Sequence, residues 1–484
     1  MAEQGLKDKT IKGVGWSAID SFLGHGITFI VGLVLARLLS PSEYGLIGIV
    51  TIFITVFNAI IDSGFSQAVI RKKDADNDDY NTMFITNLVL SVIMFLVLFF
   101  CAPAIAFFFK RPELVVLTRV MGIVMVINAL SITQNTILTK RIDFKTKTKA
   151  SLISAVLSGV VGIAMAFMGY GVWALVGQQI TKQLINSVCL WAFNKWWPNF
   201  KFSRQSFSYM WGFGWKLLAS SLIDTIWNQL YQVVVGKCYS PATLGQYSRS
   251  KEYASIFSTN INSIVGRVSF PVLAEIQDDK QRLLGAYRRI IKTTMFVTAI
   301  CMISIGAIAE PMIYCLIGPQ WHQAATFLPL ICLSMSLYPL HAINLNMLKV
   351  QGRSDLFLSL EIIKKIIAMG PICLGIFVDI YWMLVGSVVA GIIAFFLNSY
   401  YSGRMIGYSS WMQLKDIAPS YGLAFFIALL VFFLKYLPYS YWIILPLQLV
   451  IGIAVFFMVC NISKMGEYEE VKAMVIHMLK KFKK

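Results

Sequence analysis

Charged residues are scarce in this chain. They make up 14% of its 484 residues, well below the ~25% that is typical of soluble domains. Hydrophobic residues, counted as Ala, Val, Ile, Leu, Met, Phe, Trp, Tyr and Cys, make up 57%, and the mean hydropathy is +0.69. A soluble surface could not be built from so few charges, so the composition predicts a membrane protein.

Motifs for several catalytic and binding chemistries are missing. The sequence has no G-x-x-x-x-G-K-[S/T] loop for ATP phosphates, and none of its G-x-G runs has the third glycine of a dinucleotide fingerprint. The eight cysteines include no C-x-x-C pair and the four histidines lie far apart, so we expect no disulfide framework, no metal site and no cofactor. The sequence therefore gives little support to an enzyme, and transport must draw on a gradient or on downhill coupling.

Fourteen runs of mostly apolar residues are each long enough to cross a membrane as a helix, which takes about 20 residues because lipid offers no partner to an unsatisfied backbone group. The runs lie at 13–39, 43–69, 81–109, 113–139, 146–168, 172–193, 207–236, 241–270, 290–317, 324–349, 355–378, 381–404, 415–436 and 440–462. Ser40 can cap the second helix and Glu43 can complete a capping box, so one long run becomes a hairpin. Glycines and prolines at 169–171, 318–319 and 437–440 predict later hairpins.

Lysines and arginines are distributed unequally between the two sides of these spans. Loops and termini on one side hold 29 of the 42, and loops on the other side hold 4. Because Lys and Arg are retained on the cytoplasmic side of short loops, both termini are predicted to be cytoplasmic. The net charge of +18 is therefore mostly topogenic, and we expect no nucleic-acid partner. The tail at 464–484 suits either a basic amphipathic helix on anionic membrane lipids or a solvated charged segment.

Three short motifs occur twice in the same order, at offsets of 199, 200 and 209 residues. They are GVGW at 13–16 with GFGW at 212–215, SPSEYG at 40–45 with SPATLG at 240–245, and WALVG at 173–177 with WMLVG at 382–386. Six spans separate equivalent points, so both halves enter the membrane in the same direction, as in a parallel repeat. Two homologous bundles beside a central cleft can rock between inward-open and outward-open states.

Five segments of the first half carry a resemblance to a known family: KGVGW, LARLLSPSEYG, DSGFSQAVIRK, LTKRIDF and YGVWALVGQQI. With the arrangement of spans as six, six and two, they resemble the multidrug/oligosaccharidyl-lipid/polysaccharide exporter superfamily, and within it the Wzx-type polysaccharide flippases. The resemblance implies movement of an undecaprenyl-pyrophosphate-linked oligosaccharide from the inner to the outer leaflet of a bacterial cytoplasmic membrane. It also implies work alongside other proteins of surface polysaccharide assembly.

The predicted fold is an all-α polytopic membrane protein with about fourteen transmembrane helices. Two parallel-repeat six-helix bundles and two C-terminal helices are expected to form a V shape around a central cavity. The predicted parts are an N-terminal lobe at 1–200 (spans 1–6), a C-terminal lobe at 201–410 (spans 7–12), spans 13–14 at 411–463 and a basic amphipathic cytoplasmic tail at 464–484.

Ionisable residues inside the predicted spans are candidate functional groups, because a charge is costly in lipid and by default faces protein or a wet cavity. Span seven carries polar residues at four-residue steps from Lys216, and span eight carries a similar stripe beside Arg249 and Lys251. At about 1.5 Å per residue, Lys216, Lys251 and Lys364 fall near mid-depth. The second lobe is thus predicted to be cationic inside.

These cations are candidates for binding the phosphates of an anionic substrate, since a pyrophosphate in a medium of low dielectric needs fixed positive charges along its path. We expect the substrate to be held by Lys216, Arg249, Lys251 and Lys364, with Arg119 and Lys182 facing them from the first lobe. For any one of these residues, an ion pair or hydrogen bond that holds its own bundle together is an equally open interpretation.

Asp20 is the candidate for ion coupling. It lies on a polar face of span one that Ser17, Ser21 and Thr28 continue at helical spacing. A carboxylate surrounded by an apolar helix should have a perturbed protonation equilibrium and could bind the coupling ion, H⁺ or Na⁺. An ion pair with a neighbouring span is the alternative.

These features bear on three possible functions. A flippase for lipid-linked oligosaccharides leads, because a cationic cavity favours an anionic substrate over the organic cations typical of multidrug exporters. A cation-coupled multidrug exporter of the same superfamily is the alternative. A glycosyltransferase or polymerase would need catalytic residues in a large extracytoplasmic loop, and no predicted outer loop exceeds about a dozen residues.

Overall fold

The computed structural model describes residues 23–62 and 64–482. This part of the chain is built from helices and contains no β-strand. It divides into two compact units, Met1–Gly245 and Gln246–Lys484. The predicted all-α class of the chain is confirmed, whereas the predicted lobe boundary between residues 200 and 201 stays a prediction.

The first unit consists of eight helices and the start of a ninth within the described residues. They are α1 (His25–Leu38), α2 (Pro41–Asp62), α3 (Phe65–Arg71), α4 (Asn77–Phe109), α5 (Leu114–Lys140), α6 (Phe144–Phe167), α7 (Val172–Asn194), α8 (Arg204–Cys238) and the beginning of α9 (Pro241–Glu275).

The second unit contains the rest of α9 and nine further α-helices. They are α10 (Lys280–Ala307), α11 (Ala309–Leu316), α12 (His322–Ser336), α13 (Tyr338–Val350), α14 (Ser354–Phe377), α15 (Ile380–Ile406), α16 (Ser410–Phe433), α17 (Tyr441–Ser463) and α18 (Gly466–Phe482). Short 3₁₀ helices at Pro319–Trp321 and Leu434–Tyr436 connect some of them.

The start of α2 has the predicted capping box. The backbone N–H of Ser40 donates to Glu43 Oε2 (2.6 Å), and the N–H of Glu43 donates back to Ser40 Oγ (3.4 Å). This exchange satisfies two of the amides that a helix start leaves without a partner. In the repeated motif, the N–H of Thr243 donates to Ser240 Oγ (3.1 Å) at the start of α9. The turn chemistry therefore sets the helix boundaries that the sequence predicts.

Three predicted spans are each interrupted once. The run at 43–69 becomes α2 and α3, with Gly64 in the left-handed region at φ +69° between them. The run at 290–317 becomes the end of α10 and α11, and the run at 324–349 becomes α12 and α13. The hydropathy of the sequence does not reveal these interruptions, because the residues on both sides of each one are equally apolar.

Nine helical segments of the described chain are long and apolar enough to cross a membrane. The chain is therefore a multi-pass membrane protein by its helices, and the exact count of fourteen spans stays a prediction. The segments are Pro41–Arg71, Asn77–Phe109, Leu114–Lys140, Phe144–Phe167, Lys280–Ala307, Pro319–Val350, Ile380–Ile406, Ser410–Tyr436 and Tyr441–Ser463. The predicted spans outside this set include α7, α8, α9 and α14, which carry five of the six candidate substrate-binding cations.

Small residues bring helices close together in the first unit. A Cβ at Gly159 of α6 would lie 3.3 Å from one methyl group of Val31 on α1, and a second methyl group would be closer still. The starts of α2 and α9 approach each other in the same way. A Cβ at Gly45 would overlap the carbonyl oxygen of Pro241, and one at Gly245 would overlap the carbonyl oxygen of Pro41. The repeated motif thus makes a reciprocal backbone contact.

The C-terminal helix α18 is docked onto the second unit at its acidic beginning. Lys292 of α10 pairs with Glu467 (2.7 Å), and Arg289 of the same helix pairs with Glu470 (2.9 Å). Tyr468 is buried and its ring lies 5.9 Å from that of Phe456 on α17. The first turns of the tail helix therefore pack on protein, which neither sequence interpretation of this segment anticipated.

Candidate functional site

A polar cavity of about 730 Å³ lies within the first unit. Helices α2, α3, α5 and α8 form its walls. Its polar lining residues are Asn58, Asp62, Ser66, Gln67, Asn128, Asn135, Thr136, Thr139, Ser220, Ser221 and Asp224. Among the described residues that line it, none is Lys, Arg or His. The cavity thus combines amides, hydroxyls and two carboxylates in a unit whose helices are otherwise strongly apolar.

The short helix α3 is oriented by its apolar face. Phe65, Val69, Met83 and Met210 share one buried cluster, and the rings of Phe65 and Phe207 meet edge to face at 6.0 Å. Burying this face against α4 and α8 leaves the polar positions of the first turn of α3 for the cavity wall. The left-handed turn before α3 packs tightly, because a Cβ at Gly64 would lie 3.0 Å from the carbonyl oxygen of Gly214.

The far end of α3 is held by two lysines. Lys140 Nζ, at the end of α5, donates to the carbonyl oxygen of Val69 (3.1 Å) and to that of Lys72. Lys72 in turn forms an ion pair with buried Asp79 of α4 at 2.7 Å. The hydrogen bond to this carboxylate raises the pKa of the Lys72 amine. Cations at a helix C-terminus complement its free carbonyl groups, so these contacts fix the wall that carries Ser66 and Gln67.

Hydrogen bonds between side chains fix the amides of the cavity. Asn128 Nδ2 donates to Asn58 Oδ1 (3.1 Å), and Gln183 Nε2 on α7 donates to Asn128 Oδ1 (2.8 Å). Ser66 Oγ donates to Asp62 Oδ1 at 2.6 Å. Each of these polar groups keeps capacity for a further hydrogen bond, since an amide nitrogen carries two donors and a carboxylate accepts several.

The polar residues predicted to form one stripe on span seven lie in two different environments in the structure. Ser220 and Asp224 of α8 line the cavity, whereas Lys216 is exposed, with Nζ 6.0 Å from the ring centre of Trp215. Among the described residues, Lys216 has no ion-pair partner. Asp62, which the sequence places in the first lobe, joins Asp224 of the predicted second lobe in the cavity wall.

Two of the cations predicted for the second lobe have carboxylates on their own helices. Arg249 is largely buried and pairs with Glu252 at 2.7 Å, and Lys364 pairs with Glu361 at 2.5 Å. Lys251 is half-buried on α9. Two of the cations in this lobe are therefore compensated by carboxylates, which the sequence analysis did not predict. The spacing of three residues lets each ion pair form within one helix turn.

The cations predicted for the first lobe lie outside the cavity lining. Arg119 of α5 donates from Nε to the carbonyl oxygen of Phe99 (3.3 Å), and its guanidinium lies 4.4 Å from the centre of that ring. Lys182 is half-buried on α7, next to Gln183. Asp20 and the beginning of span one lie outside the described residues.

The wall formed by α5 was missed by reasoning from charged residues. Asn128, Ser131, Asn135, Thr136 and Thr139 follow the spacing i, i+3, i+7, i+8 and i+11, which is one face of a helix. This signal was available in the sequence. It is weak, because uncharged polar residues are tolerated in spans by bonding to the backbone four residues earlier, as Thr136 Oγ1 does to the carbonyl oxygen of Ile132.

The fold and the polar cavity define a polytopic helical membrane protein of the transporter class. The chain belongs to the polysaccharide biosynthesis protein family, whose model matches residues 34–326. The resemblance to Wzx-type flippases that the sequence motifs carry is confirmed.

Several curated relatives are similar over about three quarters of this chain. The succinoglycan biosynthesis transport protein ExoT of Rhizobium meliloti is 26% identical over 368 residues, which cover 76% of this chain and 74% of the relative. The teichuronic acid biosynthesis protein TuaB of Bacillus subtilis is 25% identical, with 72% and 73% covered. The lipopolysaccharide biosynthesis protein WzxC of Escherichia coli is 22% identical, with 76% of each covered.

Solved structures show the same fold at low sequence identity. The lipid II flippase MurJ in an inward closed conformation has a TM-score of 0.69 at 15% identity, covering 93% of this chain and 98% of the other. An inward-facing multidrug resistance transporter of the MATE family has a TM-score of 0.61 at 16% identity, covering 80% and 98%. The predicted fold class is thereby confirmed.

Proposed function

We propose that the chain is a flippase that moves undecaprenyl-pyrophosphate-linked oligosaccharide repeat units across the bacterial cytoplasmic membrane for surface polysaccharide biosynthesis. The observation that carries this proposal is the polar cavity in the first unit, in a chain that belongs to the polysaccharide biosynthesis family. Relatives named as transport or biosynthesis proteins for succinoglycan, teichuronic acid and lipopolysaccharide support it. Transport rather than catalysis is the proposed activity.

Alternating access is the proposed mechanism, with two lobes around a central cavity and the polyprenyl tail left in lipid. The proposed phosphate ligands are Lys216, Arg249, Lys251, Lys364, Arg119 and Lys182. Several such cations suit release better than a single tight clamp, because a carrier that binds too firmly cannot release its substrate. Asp20 is the proposed site for a coupling ion, H⁺ or Na⁺.

A cation-coupled multidrug exporter is a second candidate, and one observation favours it. Asp62 and Asp224 both line the cavity, and carboxylates in a large cavity attract organic cations. MATE-family structures share the fold. The two functions differ in the charge of the substrate, so they can be separated genetically.

Deletion of the gene distinguishes these functions. For the flippase we expect loss of a surface polysaccharide and accumulation of lipid-linked repeat units that face the cytoplasm, with restoration by the plasmid-borne gene. Normal polysaccharide together with hypersensitivity to cationic drugs would contradict the flippase and favour the exporter.

The proposed membrane orientation is tested by cysteine labelling. Single cysteines should react only from the cytoplasmic side at Lys73, Thr146 and Ser203, and only from outside at Ser42, Tyr170 and His322. Labelling of either group from the opposite side would contradict the proposed topology, with both termini in the cytoplasm.

A further inference from the structure

The connection between α7 and α8 presents aromatic rings on the outside of the first unit. We call residues 196–203 the aromatic loop. We propose that this loop is a membrane anchor, which inserts its rings at the headgroup level of the cytoplasmic leaflet and binds anionic phospholipid through Lys201 and the adjoining Arg204. The inference goes beyond the proposed function, because it concerns a lipid surface and not the transported substrate.

Three rings of the aromatic loop are exposed. Trp197 is 70% exposed, Phe200 is 68% exposed and Phe202 is 48% exposed. Other rings lie beneath them, since Trp196 is half-buried and its ring centre lies 6.1 Å from that of Phe84 on α4. Such a surface is unfavourable in water, whereas aromatic side chains accumulate at the interface between lipid and water.

Hydrogen bonds hold the aromatic loop in place on α4. The backbone N–H of Asn199 donates to Asn81 Oδ1, and that of Ser203 donates to Thr82 Oγ1, both at 3.0 Å. Asn81 and Thr82 are buried, so the loss of either bond would deprive a buried oxygen of its donor. The exposed rings therefore belong to a loop with a fixed conformation.

Phe200 has a strained backbone. Its φ of +54° lies in the left-handed region, which residues with a Cβ rarely adopt. Asn199 Oδ1 accepts a hydrogen bond from the N–H of Lys201 (3.1 Å), which closes a turn around Phe200. Strain of this kind persists where the surrounding structure enforces it, and it is found most often at functional sites. A lipid interface supplies a favourable environment for the ring that this turn exposes.

Two cations accompany the exposed rings. Lys201 is exposed and pairs with Asp78 of α4 at 3.0 Å, in a surface ion pair that solvent weakens. Arg204 is exposed at the start of α8. The side of the spans predicted to be cytoplasmic holds 29 of the 42 Lys and Arg residues, and the cytoplasmic leaflet carries anionic lipids. Charge complementarity therefore favours an anionic phospholipid as the occupant of this surface.

Fluorescence quenching in lipid nanodiscs tests the location of the loop. The full-length protein without its native cysteines carries Phe200→Cys or, as a second variant, Trp197→Cys, labelled with a nitrobenzoxadiazole fluorophore. We expect quenching by lipids with a doxyl group near the headgroup and little quenching by aqueous iodide. Asp278→Cys is the matched control, because Asp278 is exposed in the connection between α9 and α10, which has no aromatic residue. Iodide should quench this label and doxyl lipids should not.

The preference for anionic lipid is tested with the label at Phe200. Doxyl-labelled phosphatidylglycerol should quench it at least about threefold more than doxyl-labelled phosphatidylcholine at equal content, because each nearby cation favours an anionic lipid. Lys201→Glu with Arg204→Glu should remove this difference. Lys280→Glu with Arg282→Glu makes the same change of charge at two exposed positions on α10 and should preserve it. Melting temperatures identify any variant that is misfolded.

Three results would overturn the proposal. Iodide quenching at Phe200 and Trp197 as strong as at Asp278 would place the loop in water. Equal quenching by the two labelled lipids before charge reversal would show that the loop does not select anionic lipid. Protection from both quenchers, together with cross-linking of two chains through Phe200→Cys, would show that a second copy covers the rings. None of these measurements depends on polysaccharide export, so they test the anchor separately from the proposed function.

Discussion

At the scale of single residues, the candidate cations differ in whether a carboxylate forms an ion pair with them. Arg249 and Lys364 each have a carboxylate three residues away on the same helix, at 2.7 Å and 2.5 Å. Lys216 is exposed and has no such partner among the described residues. A cation without a fixed anion can be neutralised by a substrate phosphate, whereas a paired one already has a structural role.

The first prediction follows for Lys216. Lys216→Gln should reduce surface polysaccharide partially, by about threefold to tenfold for one lost charge-assisted contact. Lys216→Glu should nearly abolish it, because the reversed charge repels the phosphates. Quantitative immunoblotting of the polysaccharide and of membrane-inserted protein provides the measurement. Lys195→Glu, at an exposed loop position, is the control. Wild-type export by properly inserted Lys216→Glu would show that this residue is not a substrate ligand.

Arg249 permits a sharper test, because its partner lies on its own helix. Arg249→Glu alone should destabilise the protein by less than the about 3–5 kcal/mol of a fully buried pair, because Glu252 is about half exposed. Exchanging the two residues, as Arg249→Glu with Glu252→Arg, restores an ion pair of opposite direction. We expect the exchange to recover insertion and melting temperature but not polysaccharide export. Recovery of export as well would assign Arg249 a purely structural role.

At the scale of secondary-structure elements, capping residues and turn glycines made the helix boundaries predictable from the sequence. The capping box of Ser40 and Glu43 and the turn at Gly169 and Gly171 lie where the sequence placed them. The cavity wall on α5 was not predicted, because its polar face has functional meaning only beside α2, α3 and α8. Long-range neighbours of this kind cannot be read from periodicity, which reports one helix at a time.

The tail helix α18 shows the same limit. Its amphipathic pattern predicts a surface helix, but the acidic residues that start it were not matched to Lys292 and Arg289 nearly 180 residues earlier in the chain. Their ion pairs, and the packing of Tyr468 on Phe456, fix the first turns. Pattern alone does not reveal which surface receives an amphipathic face.

Charge reversal in α18 tests this docking. Glu467→Lys with Glu470→Lys should remove about 1 kcal/mol for each lost ion pair and add repulsion from α10. We expect faster tryptic cleavage within the tail of the nanodisc-embedded protein and a lower melting temperature. Glu469→Lys is the matched control, because Glu469 is exposed and pairs only loosely with Lys472 at 3.6 Å. Equal cleavage of wild type and the double variant would contradict a docked tail.

At the scale of the whole molecule, the two copies of the repeated motif contact each other at the starts of α2 and α9. Gly45 lies against the carbonyl of Pro241, and Gly245 lies against the carbonyl of Pro41, all four within the first compact unit. The sequence showed that the two motifs are equivalent but not that they touch. Glycine is required at both positions because any Cβ would overlap backbone that cannot move as a side chain does.

In the proposed topology, this reciprocal contact lies at the end of the spans that faces the cell exterior. If the lobes are those predicted from the sequence, 1–200 and 201–410, then α2 and α9 belong to different lobes, and the proposed alternating-access cycle requires their starts to separate at this end in an outward-open state. Gly45→Val should therefore disfavour the closed contact by the roughly 1–3 kcal/mol of an overpacked site. Such a bias changes the ratio of two conformational states by about 5–150-fold.

The measurement is external labelling of a cysteine at Ser240, in a background without the eight native cysteines. We expect faster labelling in the Gly45→Val protein and reduced polysaccharide export, because a carrier biased toward one state turns over slowly. Gly422→Ala is the control, since a Cβ there meets nothing within 4 Å. Unchanged labelling in properly inserted Gly45→Val protein would show that the helix starts relax without opening. The reciprocal glycines would then serve packing alone, and the gate that faces the cell exterior would have to be sought at another pair of helices.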